Sequence, residues 1–413
     1  MQQRLVSLDA LRGLTIAGMI LVNNPGSWGH IYAPLRHAQW HGWTPTDLVF
    51  PFFLFIVGAS MAFSFGKRRE QGTSRLVLFG HVVRRSAILF LLGLIMYGFP
   101  DFRLIGPYIL AIGGLQLLLG DGAAAKWRRI VGAALLLTSV LYFGLDVEHF
   151  HETALRVPGV LQRIAVCYFF ASVIVMFAGV RGAAVTVLVL VIGYALVVAY
   201  VPPPAGYTAD VTGQEGLLHD WVDVQVLGTH LYRERPDPEG LLSTLPAIAT
   251  TLLGLLAGAW LRSPRDRYAT TAGLFVAANV CVVIAWWMSP AVPINKKIWT
   301  SSYVVLTAGL ALHVLAMCYW AIDVRGWRRW STPLLVFGSN AIVVFVASSL
   351  MAVLLYRWHV AGGEQSARAW LYESVFRAMA EPKMASLLYA MSYVLLWLVV
   401  MTPLYWKRVF VRI

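Results

Sequence analysis

The sequence predicts an all-α, polytopic transmembrane helical bundle of about 12 helices, with 10 or 11 as the neighbouring counts and both termini cytoplasmic. Three observations lead there. The 413 residues are 59% hydrophobic and 13% charged, and the mean hydropathy is +0.68, outside the range of an ordinary soluble domain. The apolar residues fall in runs of about 20, the length that crosses a hydrocarbon core roughly 30 Å thick. Short basic turns separate the runs, whereas a barrel would show short alternating segments; in lipid each backbone group has to bond inside its own helix or a closed sheet.

In chain order the runs are 8–24, 47–65, 76–99, 104–120, 130–146, 158–178, 183–201, 241–261, 268–289, 299–321, 332–357 and 385–405. Arg4 and Arg12 flank the first run but no A-x-A-like cleavage site follows, so the first helix is expected to stay. The net charge of +13 resolves into topology rather than a nucleic-acid surface. With the amino terminus inside, loops 66–75, 121–129, 179–182, 262–267 and 322–331 and the tail from Lys407 hold most of the Lys and Arg, and the opposite loops most of the acids. The same rule puts His37, the segment 202–240, Lys296 and Lys297 on the external side. The expected partner is a lipid bilayer, with no nucleic acid.

Residues 202–240 are too polar to span. They carry Asp210, Glu215, Asp220, Asp223, Glu234, Asp237 and Glu239 and read as a structured external cap, with Trp221, Val222, Val224, Val226 and Leu227 expected to pack it. The segment 358–384 has room for a short surface helix. RLIG at 103–106 and RVPG at 156–159 each open an apolar run, a hint of duplication, and 103–146 reads as an inserted helix pair within a single membrane domain, 1–413. Cys167, Cys281 and Cys318 sit inside predicted helices with no spacing for a disulfide framework or metal site.

Ionisable residues inside a membrane are costly, so Asp9, Arg12, Arg84, Arg85 and Arg163 each need a function or a partner. Asp9 and Arg12 are one turn apart and read as a helix-start carboxylate with its i,i+3 partner. Arg84 and Arg85 lie deep enough that one of them is expected to meet a phosphate or carboxylate, unless both snorkel to the surface. Most polar chemistry gathers at 20–53, where a helix ends in Asn23 and Asn24, a loop carries His30, His37, Trp40 and His41, and Asp47 opens the next apolar run. A general base needs a neutral imidazole. From spacing alone the three histidines are equivalent and each also reads as an ordinary interfacial side chain; none has metal-ligand spacing. Asp47 reads as a helix cap or as the group that orients a histidine. Lys296 and Lys297 read as headgroup anchors or as ligands of an anion, and Asn340 as a helix-packing hydrogen-bond residue.

The blocks RLVSLDALRGLTIAGMILVNNPG, RHAQWHGWTPTDLVFPFFLFIVGAS, LRVPGVLQRIAVCYF, LSTLPAIATTLLGLLAG, PINKKIWTSSYVVLTAGL and VFGSNAI, in order over nearly the whole chain, closely resemble the heparan-alpha-glucosaminide N-acetyltransferase family, whose bacterial relatives are the NagX-type proteins. The resemblance implies an acyltransferase that takes the acetyl group of cytoplasmic acetyl-CoA and delivers it to an amino sugar or sugar derivative at the far, periplasmic face of a bacterial inner membrane. It implies His37 of the H-A-x-W block as general base or acetyl carrier, Asn23 as its active-site partner, and Asp47 before the F-P block as the third catalytic residue. Arg12, Arg85 and Asn340 are the expected cofactor-binding residues, and Trp40, Lys296 and Lys297 the expected substrate-binding ones. The expected co-substrate is acetyl-CoA with no metal, the acceptor a sugar, and the assembly a homodimer. Two departures from the family pattern stand out: no large extra-membrane segment precedes the first run, which leaves heparan sulfate in doubt as acceptor, and the 103–146 pair is additional. A secondary transporter shares the twelve-helix plan, and a membrane sensor with 202–240 as its ligand domain is a third reading. Both expect His37→Ala to leave ligand handling intact.

Overall fold

The computed structural model describes residues 5–119, 125–207, 217–232, 234–360 and 364–411. Among them run fifteen α-helices: α1 Val6–Asn23, α2 Val49–Glu70, α3 Arg75–Gly98, α4 Phe102–Leu119, α5 Ala125–Leu145, α6 Val147–Glu152, α7 Val160–Tyr200, α8 Leu218–Leu227, α9 Leu241–Leu261, α10 Arg267–Met288, α11 Ser301–Cys318, α12 Thr332–Ser339, α13 Ala341–Arg357, α14 Ala367–Leu371 and α15 Pro382–Trp406. Ten helices are long and apolar enough to cross a membrane, or up to eleven if the bent pair Arg329–Ser339 and Ala341–Arg357, which meet at 71°, forms one span.

All twelve predicted runs fall on helix. The runs 158–178 and 183–201 share α7, whose 41 residues would reach about 60 Å, twice the core thickness. Gly179, at φ 67° and ψ −166°, breaks it where the basic turn was expected; a side chain at that positive φ would be strained.

The chain divides into two compact units. The first gathers Met1–Ile56, Pro264–Val283 and Thr307–Arg412. Here α1 and α12 touch backbone to backbone: a Cβ on Gly13 would lie 1.7 Å from the Leu334 carbonyl oxygen, and one on Gly338 2.0 Å from that of Asp9. Lipid tails are as apolar as leucine, so helices in a membrane gain most by such close approach through small residues. Arg368, in α14 within the expected surface-helix segment, donates to the Pro25 carbonyl at 2.7 Å.

The second unit comprises Val57–Ser263 and Ile284–Leu306. Gly58 faces the Thr251 carbonyl and Gly258 that of Ala59, at Cβ distances of 1.8 and 2.4 Å, so α2 and α9 meet as closely as the glycine pair above. Helix α7 packs on α3 and α9, and α4 on α3 and α5. Between α6 and α7, Arg156 clamps the end of the cap segment: its guanidinium reaches Asp237 at 2.5 Å and Glu239 at 2.6 Å and lies over the rings of Tyr97 and Tyr232.

The cap segment corrects one expectation. Helix α8 buries His219, Asp220 and Asp223, while Val226 is 65% exposed and Trp221, Val222, Val224 and Leu227 are half-buried. The apolar side chains expected to pack the cap do not form its inner face. The inner face meets the Tyr194 hydroxyl of α7, the Tyr207 hydroxyl and the Leu241 N–H, and these polar partners favour the ionisable side. Asp210 and Glu215 lie outside the described residues.

Candidate active site

Helix α1 ends at Asn23, and the next side chain, Asn24, turns back to donate to the Ile20 carbonyl at 2.8 Å. The loop then runs over a short turn at Ala33–Leu35 to His37 and returns through a 3-10 turn, Pro45–Leu48, which starts α2. Thr44 and Asp47 form a capping box at that turn, Pro45 supplying a preset φ at its first position. Thr46 donates to the Pro34 carbonyl at 3.2 Å and ties the two turns together.

The cap and the histidine-orienting group are the same carboxylate. Asp47 Oδ1 lies 2.6 Å from His37 Nδ1. Its Oδ2 accepts the Ala38 and Thr44 backbone N–H groups at 3.1 and 3.0 Å and stands 3.1 Å from the Thr44 hydroxyl, which also reaches the Arg36 carbonyl at 2.6 Å. The Asp47 side chain is fully buried, whereas that of His37 is 51% exposed. A buried carboxylate held by the ring and by two backbone N–H groups cannot swing away, so the ring it holds is fixed in orientation. With Nδ1–H donated to Asp47, the basic lone pair of the imidazole is on Nε2, the nitrogen turned away from the carboxylate.

Asn23 is exposed at the end of α1, and among the described residues its amide engages no other side chain. Trp40 leans on His41, ring centroids 5.9 Å apart. Arg12 keeps the local pairing expected of it, Nη1 lying 2.9 Å from Asp9 Oδ1, and also reaches the Gly338 carbonyl at 3.3 Å. Asn340 sits at the 71° break between α12 and α13; its amide donates to the Val409 carbonyl and accepts from the Val411 N–H, both at 2.9 Å. A cavity of about 470 Å³ opens beside these two, lined by Val6, Asp9, Leu335, Ser339, Tyr405, Trp406, Arg408 and Phe410, within the size range of small-molecule sites. Arg12 and Asn340 border it through their neighbours Asp9 and Ser339.

In the other unit, Arg84 donates to the Leu119 carbonyl at 3.2 Å, and Arg85 lies over the Tyr168 ring at 4.9 Å. Lys296 and Lys297, half-buried, belong to a tight turn in which Asn295 and Thr300 exchange backbone and hydroxyl bonds. Sequence reasoning did not single out Thr44, which fastens Asp47. Its signal was the T-x-x-D spacing of a capping box. It also passed over His219, which shares one face of α8 with Asp223 at i,i+4.

No protein-family model matches the chain. Two curated proteins named heparan-alpha-glucosaminide N-acetyltransferase do. The mouse protein, Mus musculus, is 26% identical over 464 aligned residues, covering 99% of this chain and 60% of its own length. The human one, Homo sapiens, is 27% identical over 398, covering 83% and 52%. The chain is similar to these two N-acetyltransferases over most of its length. It spans between half and two thirds of the length of these two relatives.

Proposed function

We propose that the chain is a transmembrane acetyltransferase of a bacterial cytoplasmic membrane, moving the acetyl group of cytoplasmic acetyl-CoA to the amine or hydroxyl of an amino sugar at the external face. The observation that carries this reading is the His37–Asp47 pair, 2.6 Å apart, with the carboxylate buried and the ring half exposed, in a chain similar to two proteins named as N-acetyltransferases.

His37 Nε2 takes the acceptor proton as the amine attacks the thioester carbonyl, and the Asn23 amide donates to the oxygen on which charge develops. When the carbon–sulfur bond breaks, the imidazolium returns that proton to the departing thiolate. Asp47 stays ionised throughout and holds the ring in the productive tautomer. We assign the nucleotide end of acetyl-CoA to the cavity beside Asp9, where Arg408 supplies positive charge, Trp406 and Tyr405 flat surfaces, and Arg12 a cation one turn along from Asp9.

The test is acetyl transfer from acetyl-CoA to glucosamine by the purified full chain, read by mass spectrometry. His37→Ala is expected to lose transfer by about 10³-fold or more while acetyl-CoA binding persists, the size of effect expected when a positioned general base is removed. Transfer that survives the substitution, or sugar flux without acetyl-CoA, refutes the assignment. A radiolabelled acetyl group trapped on the protein without acceptor selects the acetyl-His37 route over direct attack.

A further inference from the structure

Beneath α8, in the second unit, lies a buried polar cluster that the acetyl-transfer chemistry does not use. Arg163 is 2% exposed, His219 4% and Asn295 0%. The Arg163 guanidinium spends Nη2 on the Gly240 carbonyl, at 2.9 Å, and the Ser243 hydroxyl, at 2.5 Å, and lies over the Trp299 ring at 5.1 Å. Among the described residues its Nε and Nη1 have no hydrogen-bond partner, nor do His219 Nδ1 and Asn295 Nδ2. Burying such groups unpaired is costly, the more so when they are charged.

The hydrogen-bond donors and acceptors can be assigned one by one. Tyr194 has a single hydroxyl proton and gives it to the Ile298 carbonyl, which can only accept. The nearby His219 Nε2, 2.6 Å from that hydroxyl oxygen, therefore carries its own proton and donates to the phenol. Burial, followed by the Arg163 charge, pushes the His219 imidazolium down to about 4, so near neutral pH the ring is uncharged and Nδ1 presents a lone pair. The cluster thus displays donors from Arg163 and Asn295 and an acceptor from His219. An anion can only accept and would face the Nδ1 lone pair; a cation would face the guanidinium. A hydroxyl group accepts from the one and donates to the other.

We propose that Arg163, His219 and Asn295 form a hydroxyl-recognition subsite for a polyhydroxylated ligand of the sugar class, held under α8. This deepens the sugar-acceptor reading above and rests on it. Trp299 fixes the guanidinium plane, since its own N–H is anchored to Thr250 at 3.2 Å, and the Asn295 amide is held through Oδ1 by the Ile298 N–H at 3.2 Å, which leaves Nδ2 as its outward donor.

The test is calorimetric binding to the purified full chain, with glucosamine, N-acetylglucosamine and glucose as hydroxylated probes and cyclohexylamine as a ring amine without hydroxyls. At least one sugar is expected to bind about tenfold or more tighter than cyclohexylamine, since two or more hydrogen bonds separate them. In His219→Gln the amide nitrogen can keep the bond to Tyr194 while no acceptor stands at the Nδ1 position. Sugar affinity is expected to fall about tenfold with the melting temperature preserved. His219→Asn places an oxygen near that position and is expected to bind within about threefold of the native chain. Absence of binding by all three sugars, equal affinity for cyclohexylamine, or native affinity in His219→Gln overturns the subsite. If the binding pattern holds while acetyl transfer to glucosamine is absent, the subsite stands and the acetyltransferase reading falls. If transfer proceeds with an unchanged KM in His219→Gln, the reverse is true.

Discussion

His37 and His219 are both imidazoles held by a hydrogen bond at one ring nitrogen, and the two regions that hold them do opposite things with the same side chain. At the end of α1 the partner is a buried carboxylate and the ring is half exposed, so in the proposed reaction an imidazolium would face an anion and could exchange its proton. Under α8 the partner is a neutral phenol and the ring is 4% exposed, so charging is suppressed and the ring is left to recognise rather than to shuttle. The contrast teaches that partner charge and solvent access, and not residue type or position near a membrane face, decide which chemistry a histidine performs.

The strongest way to break the comparison, after removal of the His37 imidazole itself, is Asp47→Asn. Size and most backbone contacts survive, but the side chain no longer presents two anionic acceptors. The rate of acetyl transfer is expected to drop by about 10²–10⁴-fold with acetyl-CoA binding intact, the behaviour of an orienting carboxylate beside a catalytic histidine. Steady-state kinetics checks it; a near-native rate would reduce Asp47 to a helix cap.

Asp223→Asn sharpens the other side. Burial pushes this carboxyl from 3.8 up to about 7, so its contribution to stability is full below about pH 4 and is lost as pH rises through 7. His219, pushed from 6.5 down to about 4, behaves oppositely: its contribution is full above 6.5 and is lost as pH falls through 4. Across pH 4–7 the two partly offset each other in the native chain. The Asn variant keeps the bond that Leu241 donates to this side chain at 2.7 Å and removes only the acid. Its melting temperature is expected to exceed the native value by a margin that widens from pH 4 to above 7, and to fall more steeply than the native one below pH 6.5. Parallel melting curves at all pH values would show that burial under α8 does not set these protonation states.

The smallest effect is expected from Thr44→Ala, which deletes one of the contacts to Asp47 and the bond to the Arg36 carbonyl. A cap deletion of this kind costs about 1 kcal/mol, and the rate is expected to fall by only a few fold, measurable by denaturation and by the same transfer assay.

The membrane spans were legible because the bilayer imposes length and composition on each helix independently of its neighbours. Asn23, His37 and Asp47 were legible as candidates because polar residues at a span end are few. That Asp47 is both cap and orienting group was not, since sequence spacing presents the two roles as alternatives and only the return of the 3-10 turn onto the loop makes them one. The inner face of α8 was hidden for a different reason. Apolar residues are expected inside, but α8 turns its ionisable residues inward towards the Tyr194 and Tyr207 hydroxyls and the Leu241 N–H, drawn from different segments of the chain. The glycine contacts of Gly13 with Leu334 and Gly338 with Asp9 likewise depend on pairings that no single run encodes.

One amide spans two breaks in this fold. Asn340 occupies the kink between α12 and α13 and uses both ends of its side chain on Val409 and Val411, so the backbone at 409–411 serves as a splint for a bent membrane helix. Cleavage ahead of Val409, or a fusion that pulls this strand aside, would strip the splint and leave a carboxamide stranded at the elbow. Labels and anchors for this protein therefore belong elsewhere on its surface.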